Sequence, residues 1–176
     1  IGQHLKKQFS RIETVSIKRT SGHTLTVSIS EFRALYLWCI PSGEDCYFMD
    51  KQGIVYTPAP VFSGTAYPKV VTGNSLKDLP FNVMSETEVN RITTLYSRLS
   101  DINIVPILFK NVSEREMEID FLHNKSVAKI LIDPTIDTET SLDYLFSGIR
   151  TQPLSGLFAS SEKKLLYIDV RFSNKV

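Results

Sequence analysis

The sequence predicts an α+β fold, a mostly antiparallel curved sheet with helices packed on one face. Three observations carry that expectation. Several segments alternate apolar and polar residues with a period of two. Two others place apolar residues at helical spacing behind a capping residue. The connections between strand-like segments are short and rich in Gly, Asn and Pro. At 176 residues the chain can form one compact domain, or one domain with part of another.

The elements follow in order. Ile1, Leu5, Phe9 and Ile12 are spaced for one face of a short helix. ETVSIKRT and TLTVSIS then alternate across the turn Ser21-Gly22, with Leu25, Val27 and Ile29 on one side and Thr24, Thr26, Ser28 and Ser30 on the other. That hairpin has little core and is marginal alone. In LWCIPSGEDCYFMD two strand-like stretches flank a loop bounded by Cys39 and Cys46. This pair is a disulfide candidate: cross-strand cysteines beside a loop can reach disulfide geometry, and closing so short a loop is worth roughly 2–3 kcal/mol in the chain-entropy model. A disulfide implies an oxidising, extracytoplasmic space; the alternative is two reduced thiols in the core. Two thiols without a neighbouring His make only half a zinc ligand set, so no metal site is expected.

Asp50 to Gly53 turn the chain into IVYTPAP, and residues 57–82 read as loop with one short strand at Lys69–Val71. SETEVNRITTLYSRL is the clearest helix, with Ser85 and Glu88 at capping-box spacing and Val89, Ile92, Tyr96 and Leu99 as its buried stripe. INIVPILF, EMEIDFL and VAKILID read as strands, HNKS joining the last two. Asp137 caps a second helix whose stripe is Leu142, Leu145, Phe146 and Ile149. Gln-Pro-Leu-Ser-Gly reads as loop, and a final strand closes the chain.

Composition excludes several classes of function. Twenty basic residues against nineteen acidic leave a formal charge of +1, so no single-sign field points to nucleic acid or an anionic membrane. No apolar run approaches the roughly 18 residues of a membrane helix, and no signal-peptide pattern opens the chain. Ile1 stands where an initiator methionine is usual, which suggests a fragment or processed form with an upstream anchor.

No enzyme motif is present. His4, His23 and His123 lie on a helix, a turn and a hairpin loop, far apart and expected in solvent. Ser160-x-x-Lys163 and Ser161-x-x-Lys164 match Ser-x-x-Lys, but they precede a strand and lack the partner segments that such acyl-transfer chemistry needs. Glu114 with Glu116, and Asp133 with Asp137, are explained by a solvated loop and a helix N-terminus. Without a convergent nucleophile, base and electrophile, the chain reads as a binding module that needs no cofactor.

The last thirteen residues, KLLYIDVRFSNKV, carry the candidate site. Leu166, Ile168, Val170 and Phe172 alternate with Leu165, Tyr167, Asp169 and Arg171. An ionised carboxylate cannot be buried unpaired without a cost of several kcal/mol. The second face is therefore wet, or paired across the sheet. A terminal strand is often a sheet edge, and an edge with an exposed aromatic and light charge protection invites strand addition. The plainer reading is that Asp169 and Arg171 pair on a solvated face.

Four stretches, in order along the chain, resemble the FtsQ/DivIB family of bacterial cell-division proteins. TVSIKRTSGHTLTVSISEF resembles the end of the family's POTRA domain, closing on Glu31. CYFMDKQGIVY resembles its strand–turn–strand with Asp50 and Gly53 at the turn, and PKVVTG its Pro-hydrophobic-x-Gly loop. YIDVRFSNKV resembles the ending of the last β-domain strand, the most specific of the four.

The resemblance implies that residues 1–35 are the C-terminal part of a POTRA-like domain and 36–176 an FtsQ-type β domain. It implies a non-enzymatic divisome scaffold outside the cell membrane, held by a single-pass helix upstream. That scaffold binds FtsB/DivIC-like and FtsL-like partners and regulates assembly of the septal peptidoglycan synthesis complex. By the same resemblance a partner segment adds beside the last strand, which points to Arg171, Phe172, Ser173 and Asn174, with Tyr167 and Asp169 as matching motif positions. A competing expectation is a POTRA-type periplasmic substrate-binding or chaperone module of an outer-membrane or secretion system. A secreted hydrolase is the third, but no residue stands out for its chemistry.

Overall fold

The computed structural model describes residues 1–41, 45–62, 64–159 and 164–172. Helix α1 (Gly2–Gln8) precedes a two-stranded sheet, β1 (Ile12–Arg19) against β2 (Leu25–Glu31). The helix is shorter than its spacing predicts. Phe9 is already extended, and Ile12 is a buried strand residue paired with Glu31. Pairing to β2 outweighs the helical period because it satisfies the backbone and buries a β-branched side chain. α1 packs on β1, and Leu25, Val27 and Ile29 of β2 stay largely exposed.

The main sheet has nine strands in the order β11-β10-β9-β8-β6-β3-β4-β5-β7. They are β3 (Tyr36–Cys39), β4 (Cys46–Met49), β5 (Ile54–Pro58), β6 (Lys69–Val71), β7 (Phe81–Asn82), β8 (Pro106–Ser113), β9 (Glu116–His123), β10 (Ser126–Ile132) and β11 (Tyr167–Asp169). Most neighbours are antiparallel; β3–β6, β6–β8 and β10–β11 are parallel. Together with the helices this is the expected α+β fold. The hairpin β9–β10 turns on Asn124 and Lys125, with φ of 49° and 62°, the left-handed pair that a tight two-residue turn demands.

Helices α2 (Glu86–Ser100) and α3 (Thr138–Arg150) lie on one face. The Ser85–Glu88 capping box forms, and Asp137 accepts from the Thr140 amide at 3.1 Å. Both satisfy orphan amides at a helix start. The buried residues of α2 are Val89, Ile92, Leu95 and Leu99, with Leu95 taking the place expected for the half-buried Tyr96. They meet Trp38, Met49, Val70, Phe109, Ile119, Phe121 and Ile130 from the strands. The Trp38 indole donates to Thr72 Oγ1 at 2.9 Å, so this fully buried N–H is paired.

Several boundaries differ from the sequence expectation. Residues 102–105 are not strand; β8 begins at Pro106 and runs on to Ser113. Within 57–82 the two-residue β7 pairs with β5. The segment after Gln152 is a short helix, α4 (Leu154–Ala159), because Leu154 and Phe158 lie one turn apart and pack together on the core.

The Pro/Gly-rich loop after β5 folds over the outer sheet face at β3 and β4. Phe62 and Tyr67 pack on Phe48 with ring centroids 6.0 and 5.6 Å away. Tyr56 stacks on Phe48 and on Phe32, the latter at 5.1 Å, which seats the N-terminal hairpin against the main sheet. Leu37 and Cys39 are consequently buried on that side too. Nothing comparable covers the outer face of β8–β11 among the described residues.

Candidate partner-binding edge

β11 is the border strand of the large sheet, and among the described residues Tyr167–Asp169 pair with β10 alone. The Lys129 amide donates to the Leu166 carbonyl at 3.1 Å, and the Val170 amide to the Leu131 carbonyl at 3.0 Å. Even-numbered residues of β11 therefore address β10. By strand alternation the amides and carbonyls of Tyr167 and Asp169 address the open border. These are the groups a further strand would bond.

The strand is shorter than its alternation predicts. Ile168 and Val170 are buried as expected, but Leu165 turns into the core and Leu166 out of it. Phe172 is exposed, not buried. Two causes act at the ends. On one side, the pairing with β10 starts only at Leu166. On the other, the Asp169 carboxylate accepts from the Arg171 amide at 3.1 Å, which turns the chain away from the ladder. The Arg171 guanidinium lies 5.7 Å from the Phe172 ring centroid.

Arg171 is committed within the domain. Its Nε and Nη2 donate to the two Asp169 oxygens at 2.9 and 2.6 Å, a bidentate pair, and Nη1 donates to Glu116 at the start of β9. Arg171 thus straps β11 across β10 to β9. The hydrogen bonds from Arg171 hold the Asp169 carboxyl below the usual carboxylate range, and the same bonds push the guanidinium up. The plainer sequence reading of this pair is what the geometry displays, and it leaves the aromatic and the backbone, not the cation, facing outward.

Beside the border lies an apolar patch that sequence reasoning missed. Leu122, Val127, Leu166, Tyr167 and Phe172 are 49–62% exposed. Leu122 pairs directly with Val127, and Lys129 with Tyr167, so three of the five share the outer face. The signal was legible: Leu122 and Val127 occupy the polar phase of strands whose inward residues are Ile119, Phe121, Ala128 and Ile130. The rest of that face is a charge ladder. Lys129 meets Glu118 at 2.7 Å, a bond that raises the lysine pKa, and the Asp120 carboxyl beside them is raised by burial, its Oδ1 without a hydrogen-bond partner among the described residues.

Of the other candidates, Ser173 and Asn174 lie outside the described residues, as do Ser160, Ser161 and Lys163. Cys39 and Cys46 face each other across β3–β4 and are disulfide-bonded, with no free cysteine among the described residues. His123 is not a solvated loop residue: its ring packs edge-on to Phe158 and its Nε2 lies 3.3 Å from the Phe158 carbonyl. His4 and His23 lie far from it, on α1 and on the β1–β2 turn. Among the described residues no three His, Cys, Asp or Glu side chains are grouped to hold a metal, and no helix is long and apolar enough to cross a membrane. No protein-family model matches the chain, and no curated protein matches it either.

Proposed function

We propose that the chain is the extracytoplasmic part of an FtsQ/DivIB-like division scaffold, non-enzymatic and anchored by a membrane helix upstream. It binds an FtsB/DivIC-like and an FtsL-like partner by strand addition along β11, and so helps assemble and regulate the septal peptidoglycan synthesis complex. One observation carries the reading. The strand bearing the family-like YIDVRF ending is a sheet border whose outward backbone groups belong to Tyr167 and Asp169. The neighbouring apolar patch supplies side-chain selectivity for whatever the backbone bonds hold. The Cys39–Cys46 bond supports an oxidising location.

The geometry refines the site. Arg171 is spent on Asp169 and Glu116, so it positions the strand while Tyr167 meets the partner. The test is calorimetric titration of this chain with the partner's extracytoplasmic segment from the same organism. Saturable one-to-one binding is expected, and it should be weakened by Tyr167→Pro. A folded chain that binds neither division partner overturns the proposal.

A further inference from the structure

On the helix-bearing side of the sheet, a cavity of about 240 Å³ opens between the start of α2, the β8–β9 turn and Pro134, two residues beyond β10. Its floor is Met84, Ile92 and Met117, all buried. Its rim carries Glu88, Arg91, Asn111 and Glu114. Pockets for drug-sized ligands run to about 300–1,000 Å³, so this smaller space suits one long side chain.

The rim's charges decide which one. The Arg91 Nη1 donates to the Pro134 carbonyl, which ties the cation to the far wall. Glu88 uses Oε2 for the Ser85 amide and hydroxyl, both at 2.7 Å, and its other oxygen makes no hydrogen bond among the described residues. Glu114 has no ion-pair partner among them, and the Asn111 side-chain amide has no hydrogen-bond partner among them either. The nearby Asp133 and Arg115 already pair at 3.4 Å. Two carboxylates against one committed guanidinium leave the rim a net acceptor of positive charge. The thioethers beneath are soft, adaptable partners for methylenes.

We propose that this cavity binds a lysine side chain presented by a peptide, its methylene stem on Met84, Ile92 and Met117 and its ammonium at Glu114 and Glu88. A basic side chain with an apolar stem and a wet head fits such a layered site. The proposal rests on α2 and the β8–β9 turn and is independent of the β11 border.

The chain holds three methionines, two of them in the cavity floor; the third, Met49, is fully buried elsewhere in the core and serves as an internal reference. The test is methyl NMR of the whole chain with labelled methionine, titrated with N-acetyl-lysine methylamide. Met84 and Met117 signals should move and saturate in the millimolar range while Met49 stays still. The norleucine amide, which keeps the four-carbon stem but lacks the ammonium, should bind about fivefold more weakly, and Glu114→Gln should weaken lysine by a similar factor, the scale of one exposed ion pair. Unmoved Met84 and Met117 signals overturn the proposal. So does equal binding of norleucine, which makes the site merely apolar, tighter binding of the glutamate amide, which makes Arg91 the anchor, or a shift at Met49.

Discussion

Tyr167→Pro and Ile168→Pro differ by one position and should act on different quantities. Proline removes an amide donor and places a ring where a neighbouring strand would approach. At 168 the lost donor is one that addresses β10, and the replaced side chain is buried. The expected cost is about 3 kcal/mol or more, a fall in melting temperature of roughly 6–12 °C for a chain of this size. At 167 the lost donor faces the open border and the side chain is exposed. Stability should change by no more than about 1 kcal/mol. Partner affinity, by contrast, should drop at least about tenfold, since one net hydrogen bond is worth ~1 kcal/mol and the ring blocks close approach. Tyr167→Ala separates the side chain from the amide. Scanning calorimetry reads the first quantity and titration calorimetry the second. If Tyr167→Pro melts as low as Ile168→Pro, the amide faces inward and the edge argument fails.

Three further outcomes follow from particular residues. Reducing the Cys39–Cys46 bond, whose partners are 7 residues apart, should cost about 2.5 kcal/mol in the chain-entropy model; an unchanged melting temperature in reductant would show that the covalent link contributes nothing. Gly53 has φ of 78°, and a Cβ there would stand 2.2 Å from the Met84 carbonyl oxygen; Gly53→Ala should therefore lose about 2–3 kcal/mol in urea unfolding, and a loss under 1 kcal/mol would mean the turn relaxes freely. Asp120 is raised by burial, so its folded carboxyl titrates above its unfolded one. It opposes folding above the folded pKa, and that opposition fades as pH falls towards the unfolded value. Asp120→Asn should raise the melting temperature at pH 7 with a smaller gain near pH 4; no gain at pH 7 refutes the assignment.

Much of the fold was legible because local and tertiary signals agreed. The capping box at Ser85, the Asp137 cap and the inward phase of EMEIDFL each specify one answer locally and meet the same answer in the core. The failures share a cause: tertiary pairing overrode a short pattern. Ile12 continues a helical period yet belongs to β1, and Leu154 and Phe158 hide a helix in what composition marks as loop. The ending of the chain reads as a long strand because Leu166, Ile168, Val170 and Phe172 keep an apolar period of two. It cannot register that Asp169 captures the Arg171 amide, nor that Glu116, over fifty residues away, completes the strap. Parallel pairing of β11 was equally invisible, since orientation depends on the helices that intervene.

The parallel attachment of β11 has an energetic consequence. Three residue pairs and one guanidinium strap, joining segments nearly forty positions apart, fasten the outermost element. Such a segment opens at lower free energy than the eight strands it borders. Any polypeptide that docks there must first draw on this docked population, so its measured affinity includes the cost of keeping the segment seated. Substitutions at Glu116, remote from the contact itself, will accordingly register as weakened capture through faster amide exchange at Val170.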